Sequence, residues 1–395
     1  SRSASSAVVR MGRCHGRWPI VSCHVLRGSS FRSANALRRH RSGHALSALT
    51  IDVAEEPERG GRIGEEWQDL GIQAAELRLT SALEIGQCFQ WKRIGVDEWL
   101  GVVGGAAITL RQRPETTEAR CLRGSVPTEL LRRYLAAGPE GPWLTELYAE
   151  WAAQHPLAGR AAYALPGLRV LRQDPVEALF SFICSSNNNV ARITLVLDRL
   201  RATYGAPLLG VSESVAAGAT SMAVGAAGAV PKHVEEFASR KAVYAFPTAE
   251  ALAKSSEDDL RALGLGYRAR FVRETACALN SQGGAQALED LVTLARCDAE
   301  RELRNFPGVG PKVAACVALF GLGHTDAVPV DVHVARVAAR ELAPPALALR
   351  LRGSGSLTPR RHDEVADLFR GRFGRFAGWA QTLAFGAERT GKLKR

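Results

Sequence analysis

The stretch FPGVGPKVAACVALFGLGHTDAVPVDVH, residues 306–333, places one lysine, Lys312, in an otherwise apolar run that follows a glycine-rich turn. The next acid is Asp326, and Asp331 follows in VPVDVH. The pattern predicts a helix, a tight turn carrying Gly308 and Gly310, and a second helix with Lys312 in its first turn. A helix N-terminus presents unpaired N–H groups and partial positive charge. That end and the apolar neighbours both disfavour the ammonium form, so a lowered lysine pKa is expected. A neutral amine can attack an aldehyde-like carbon and form a Schiff base. A carboxylate is then needed to stabilise developing cation and to move protons, and Asp331 is the candidate. Its alternative role is N-cap of the helix VHVARVAARELA, and the two roles are compatible because capping would hold the side chain rigidly. The hairpin glycines let the backbone approach another surface, and with the helix end they could hold a phosphate without any excess of Lys or Arg. A plain turn between two helices is the competing reading.

The 395 residues are 46% hydrophobic, enough to bury two or three domain cores. A net charge of +11 suggests a polyanion partner, but its distribution argues otherwise for the body of the chain. Nine of the 51 Lys and Arg residues, and no acid, lie in residues 1–51; the remainder balances 42 basic against 40 acidic residues. Contact with a polyanion must therefore come from local patches and helix ends. The eight cysteines form no CxxC and no evident disulfide framework, which fits a reduced, intracellular protein. No apolar run is long enough for a membrane span, so no membrane partner is expected.

An α+β chain is expected. Residues 1–55 read as a disordered basic extension with the Arg- and Ser-rich composition of an organellar transit peptide. The short runs AELRLT, CFQWKRIG, EWLGVVGG, AAITLRQR and EARCLRG predict an antiparallel sheet within a domain at 68–170, joined by the helical patterns TELLRRYLAAG and PWLTELYAEWAA. From residue 171 to 390 the chain reads as helical, with an Ala-, Gly- and Ser-rich flexible insertion at 211–240.

Three stretches carry a resemblance. The hairpin with its lysine and VPVDVH resembles the helix-hairpin-helix DNA glycosylases. LRQDPVEALFSFICSSNNNVARI (171–193) and LGLGYRARFV (263–272) resemble the eukaryotic 8-oxoguanine DNA glycosylases in particular. The resemblance implies a TBP-like antiparallel sheet domain followed by an all-α helix-hairpin-helix domain. It implies a monomeric base-excision repair enzyme that flips 8-oxoguanine, paired with cytosine, out of double-stranded DNA. That enzyme excises the base through a lysine Schiff base and can nick the strand by β-elimination, with no metal and no cofactor.

Carried over by position, Lys312 is the nucleophile and Asp331 the catalytic carboxylate. Cys316 and Phe385 stack on the two faces of the base. Gln381 reads its Watson–Crick edge, and the Gly86 carbonyl accepts the N7–H that only the oxidised base has. Asn187 fills the vacated space, Arg192 and Arg268 hold the orphaned cytosine, and Tyr267 wedges the bent duplex. Gly308, Gly310 and His333 contact phosphates. Ala315 and Phe320 depart from the family pattern, which has an acid and a methionine there. No cysteine follows Cys316, so the iron–sulfur cluster of endonuclease III-like members is not expected. The alternatives are a glycosylase of another base specificity and a non-catalytic DNA-binding hairpin. The resemblance implies the nucleus, with the mitochondrion or plastid open to the basic extension.

Overall fold

Apolar residues two apart in QDLGIQ turn Leu70 and Ile72 inward and leave Asp69 and Gln73 exposed, the signature of a strand with one buried face. A computed structural model describes residues 61–139, 141–210, 242–352 and 357–394, all within the unit Pro57–Arg395. The expected extension at 1–55 and insertion at 211–240 lie outside the described residues. Short strands β1 (Arg62–Ile63) and β7 (Val126–Pro127) pair as a separate two-stranded sheet. Between them β2 (Gln68–Gln73), β3 (Lys92–Arg93), β4 (Glu98–Val103), β5 (Ala106–Gln112) and β6 (Thr116–Arg123) form an antiparallel sheet in the order β2-β6-β5-β4-β3. Trp99, Ile108 and Leu110 pack with Leu131 and Leu135 beneath it.

Three predicted strands were found where EWLGVV, AAITLRQ and TTEARCLR lie, but AELRLT is not a strand. It is a bend followed by the helix Leu79–Leu83, whose Leu79, Ala82 and Leu83 are buried. The cause is tertiary. Glu76 is drawn into a buried ion pair with Arg169, 2.8 Å away, and its carboxylate also accepts from the backbone N–H groups of Leu144 and Thr145. Only Lys92 and Arg93 of CFQWKRIG are extended. The helices Leu144–Gln154 and Pro156–Ala164 precede residue 171, yet their Leu144, Trp151, Leu157 and Ala161 belong to the helical core.

The helical body is built around Pro175–Cys184, a nearly all-apolar helix capped by Asp174, whose Oδ1 accepts from the Glu177 N–H. Against it packs the lysine helix Pro311–Val317, which Gly310 precedes and which continues as a wider turn to Leu322. The C-terminal helix Ala377–Arg389 closes the site.

One buried amide joins the two cores. Gln87 donates to the carbonyls of Ala82 and Arg169 (2.6 and 2.8 Å) and accepts from the Leu171 N–H (3.0 Å). Its own carbonyl accepts from Gln173, whose N–H donates to the Phe320 carbonyl. The loop carrying Gly86 is thereby fixed relative to both the sheet domain and the end of the lysine helix.

Burial pushes the Glu76 carboxyl up, but its hydrogen bonds from Leu144 and Thr145 and the Arg169 charge outweigh burial and leave it below 4.5. A carboxyl with a lowered folded-state pKa stabilises the fold above its unfolded value and loses that contribution as pH falls through the folded one. Wild type is expected to lose stability as pH drops below 4.5, and Glu76→Gln to be less stable at neutral pH but flatter across the acid range. Urea denaturation at a series of pH values checks this; parallel curves would contradict it.

Candidate active site

Lys312 and Asp331 line one cavity of about 60 Å³, together with Gly86, Cys316, Gln381 and Phe385. The cavity floor is aromatic. Phe182 and Phe320 stack with centroids 5.3 Å apart and planes 19° apart, so the departure at Phe320 shapes the wall directly. Ala315, the other departure, is buried and outside the lining.

Lys312 is the second residue of its helix. Its Nζ lies 2.9 Å from Ser185 Oγ and 5.1 Å from the centroid of the Phe182 ring, the geometry of a cation–π contact. Among the described residues no carboxylate is within ion-pair distance of it.

Asp331 caps the helix Val332–Glu341, with Oδ1 accepting from the His333 and Val334 N–H groups at 2.9 and 2.8 Å. Oδ2 has no partner among the described residues. The carboxylate is thus half structural and half available, so both readings of Asp331 apply to the same side chain. The Val330 N–H donates to Nε2 of buried His362, and burial lowers the pKa of that ring against the opposing pull of Asp363. A neutral ring is what this bond requires, and it fixes the backbone just before Asp331.

Cys316 lies one helical turn beyond Lys312 and is buried. Burial pushes its thiol up, opposed by Lys312 and assisted by Asp331, so it presents a polarisable uncharged face. Phe385 stands four residues after Gln381 on the C-terminal helix, its ring edge-on to His333. Gln381 is buried, yet among the described residues its side chain's one polar contact is that of its carbonyl oxygen with the Thr382 hydroxyl at 3.3 Å, a hydroxyl that also donates to the Gly378 carbonyl at 2.8 Å, so the amide nitrogen is left unused beside the cavity. Buried amides normally find partners.

Gly86 has φ of +89°, and a Cβ there would meet Val190 and Arg389 at 3.1 and 3.2 Å, so no other residue fits without strain. Its carbonyl accepts nothing from the described residues.

This arrangement can be compared with known proteins. Residues 69–179 match the model of the 8-oxoguanine DNA glycosylase N-terminal domain, and residues 180–345 match the HhH-GPD superfamily of base excision DNA repair proteins. The N-glycosylase/DNA lyase OGG1 of Arabidopsis thaliana is 35% identical over 330 residues, 82% of this chain and 80% of that protein. The chain belongs to the 8-oxoguanine DNA glycosylase family.

The N-glycosylase/DNA lyase of Saccharomyces cerevisiae is 30% identical over 81% of this chain and 85% of that protein. The fold resembles the Clostridium acetobutylicum 8-oxoguanine glycosylase/lyase, solved with double-stranded DNA containing cytosine opposite 8-oxoguanine. The TM-score is 0.62 at 24% identity, covering 80% of this chain and 93% of that chain.

The cavity opens into a larger groove of about 920 Å³, lined by Asn187, Arg192, Gly308, Gly310 and His333. The three asparagines divide the work there. Asn188 donates to the Cys184 carbonyl at one helix end, and Asn189 caps the next helix by accepting from the Arg192 N–H. Asn187 takes a left-handed φ of +53°, and its exposed side chain is unclaimed among the described residues. Arg192 is likewise exposed. Tyr267 and Arg268 line neither space. Tyr267 is 49% exposed, whereas Arg268 is buried and donates to the carbonyls of Ser186 and Asn187. In this state Arg268 braces the groove loop instead of offering a free guanidinium.

Ser185, Phe182 and Gln87 shape the site and were not singled out from the sequence. The polar run directly after a nearly all-apolar helix was the available signal for Ser185. Phe182 reads as ordinary core, and the contacts of Gln87 are long-range.

The two hairpin glycines differ physically. Gly308 has φ of +78°, and a Cβ would sit 2.7 Å from Phe271, whereas Gly310 is extended and open on that side. Gly308→Ala is expected to destabilise the protein by about 1–3 kcal/mol. Gly310→Ala should leave stability unchanged and weaken DNA binding, because its methyl would stand on the groove wall. Thermal unfolding and fluorescence anisotropy check the pair; equal loss of stability would contradict the distinction.

Proposed function

We propose that the chain is a bifunctional 8-oxoguanine DNA N-glycosylase and β-elimination lyase, acting on 8-oxoguanine paired with cytosine in double-stranded DNA. The observation that carries this is the convergence on one cavity of the Lys312 amine, which donates to Ser185, with three groups that have no partner among the described residues: Asp331 Oδ2, the Gln381 amide nitrogen and the Gly86 carbonyl. A hairpin that only held phosphate would have no use for a cavity of this composition.

A flipped base is sandwiched between Cys316 and Phe385, which replaces the stacking lost on leaving the duplex. The Gln381 amide offers donors and an acceptor to the Watson–Crick edge. The Gly86 carbonyl accepts N7–H from the oxidised base and repels the N7 lone pair of normal guanine, so discrimination rests on one acceptor. The Lys312 lone pair bonds to the sugar C1′ as the base leaves with the electrons of the glycosidic bond and takes up a proton. The attached nitrogen gives up one proton and forms a protonated imine as the C1′–O4′ bond breaks, its electrons and a proton going to the ring oxygen. Loss of a C2′ proton then expels the 3′ phosphate with the electrons of the C3′–O bond. Asp331 Oδ2 faces the cationic stages and stabilises them.

Lys312→Gln is expected to abolish excision of 8-oxoguanine opposite cytosine while keeping DNA affinity. Asp331→Asn keeps a capping oxygen, so it should hold stability within about 0.5 kcal/mol, yet slow excision by roughly 10²- to 10⁴-fold. Single-turnover strand scission with parallel melting curves tests both. Wild-type rates in Asp331→Asn would remove the carboxylate from the chemistry.

A further inference from the structure

We propose that Ser185 is a positioning residue for the Lys312 amine, holding the nitrogen by one N–H while leaving its lone pair free. The inference rests on the reading of Lys312 as the nucleophile.

Ser185 ends the helix Pro175–Cys184. Its Oγ lies 2.7 Å from the Phe182 carbonyl and 2.9 Å from Lys312 Nζ. A hydroxyl has one hydrogen and two lone pairs, and a carbonyl oxygen can only accept. The single hydrogen is therefore committed to Phe182, and the oxygen must accept from Nζ. A neutral lysine amine has two N–H bonds and one lone pair. Ser185 takes one N–H and the Cys316 sulfur can accept the other, so the lone pair stays available for the sugar carbon. A side chain that donated from the same place would cover that lone pair and block attack. The Phe182 ring below Nζ presents its face, which also carries no donor.

The hydroxyl is held on both sides. Before it runs the buried helix, with Phe182, Ile183 and Cys184 all nearly inaccessible. After it, Arg268 donates to the Ser186 and Asn187 carbonyls, and Tyr267 donates to the Ser186 carbonyl at 3.2 Å. A lysine side chain gives up rotamer freedom when fixed. A rigid acceptor at its tip imposes that ordering before the sugar arrives.

The test uses the full chain and a duplex with a preformed aldehydic abasic site opposite cytosine, so that only amine attack is required. The amine adds to C1′, water leaves, and borohydride delivers hydride to the imine to give a stable secondary amine. Affinity is measured separately on a duplex with a tetrahydrofuran abasic analogue, which cannot form the imine. Ser185→Ala is expected to slow trapping roughly 10- to 100-fold with affinity for the analogue unchanged, and Ser185→Thr, which restores the hydroxyl, to recover most of the rate. Trapping by Ser185→Ala at the wild-type rate would overturn the proposal. So would a loss shared equally with affinity that Ser185→Thr fails to repair. An adduct persisting in Lys312→Gln would instead defeat the nucleophile assignment, whatever Ser185 does.

Discussion

Lys312 and Asp331 both sit at helix N-termini, and that shared placement governs the site. An anion is stabilised there, and Asp331 gains two backbone hydrogen bonds through Oδ1. Lys312 has no carboxylate within ion-pair distance among the described residues. An amine and a carboxylate that share a cavity without contact form no ion pair. Each is left able to act on a third group placed between them.

The scaffold serves that separation. The lysine helix is fixed by packing on Pro175–Cys184 and by the Phe182–Phe320 stack under the cavity. The aspartate is fixed by its own capping bonds and by the His362 contact to Val330. The opposite wall depends on Gln87, whose four hydrogen bonds hold the loop that carries Gly86. Leaving any partner of that amide unsatisfied in the core would cost roughly 1–3 kcal/mol. The cavity wall that carries Gly86 and the stability of the junction therefore rest on the same interaction.

Much of this was legible in the chain because it is local. Lys312 and Cys316, and likewise Gln381 and Phe385, are spaced four apart, so each pair shares a helical face once the helix is granted. Asp331 before VHVARV is a cap by residue type alone. Gly86 came only through family resemblance, since nothing local in EIGQCFQW marks a recognition carbonyl. Ser185, Phe182 and Gln87 were opaque for a common reason: each acts across more than eighty residues of sequence, where no periodicity speaks. AELRLT misled because its short alternation is overridden by the Glu76–Arg169 pair, another long-range contact.

The central claim is that one identified amine forms the bond to DNA. Reducing the complex with borohydride, digesting the protein and sequencing the nucleotide-bearing peptide by mass spectrometry tests it directly. The modification should fall on Lys312 within NFPGVGPKVAACVALFGLGH. A modification at Lys92 or Lys254 would contradict the account, because neither lines the cavity.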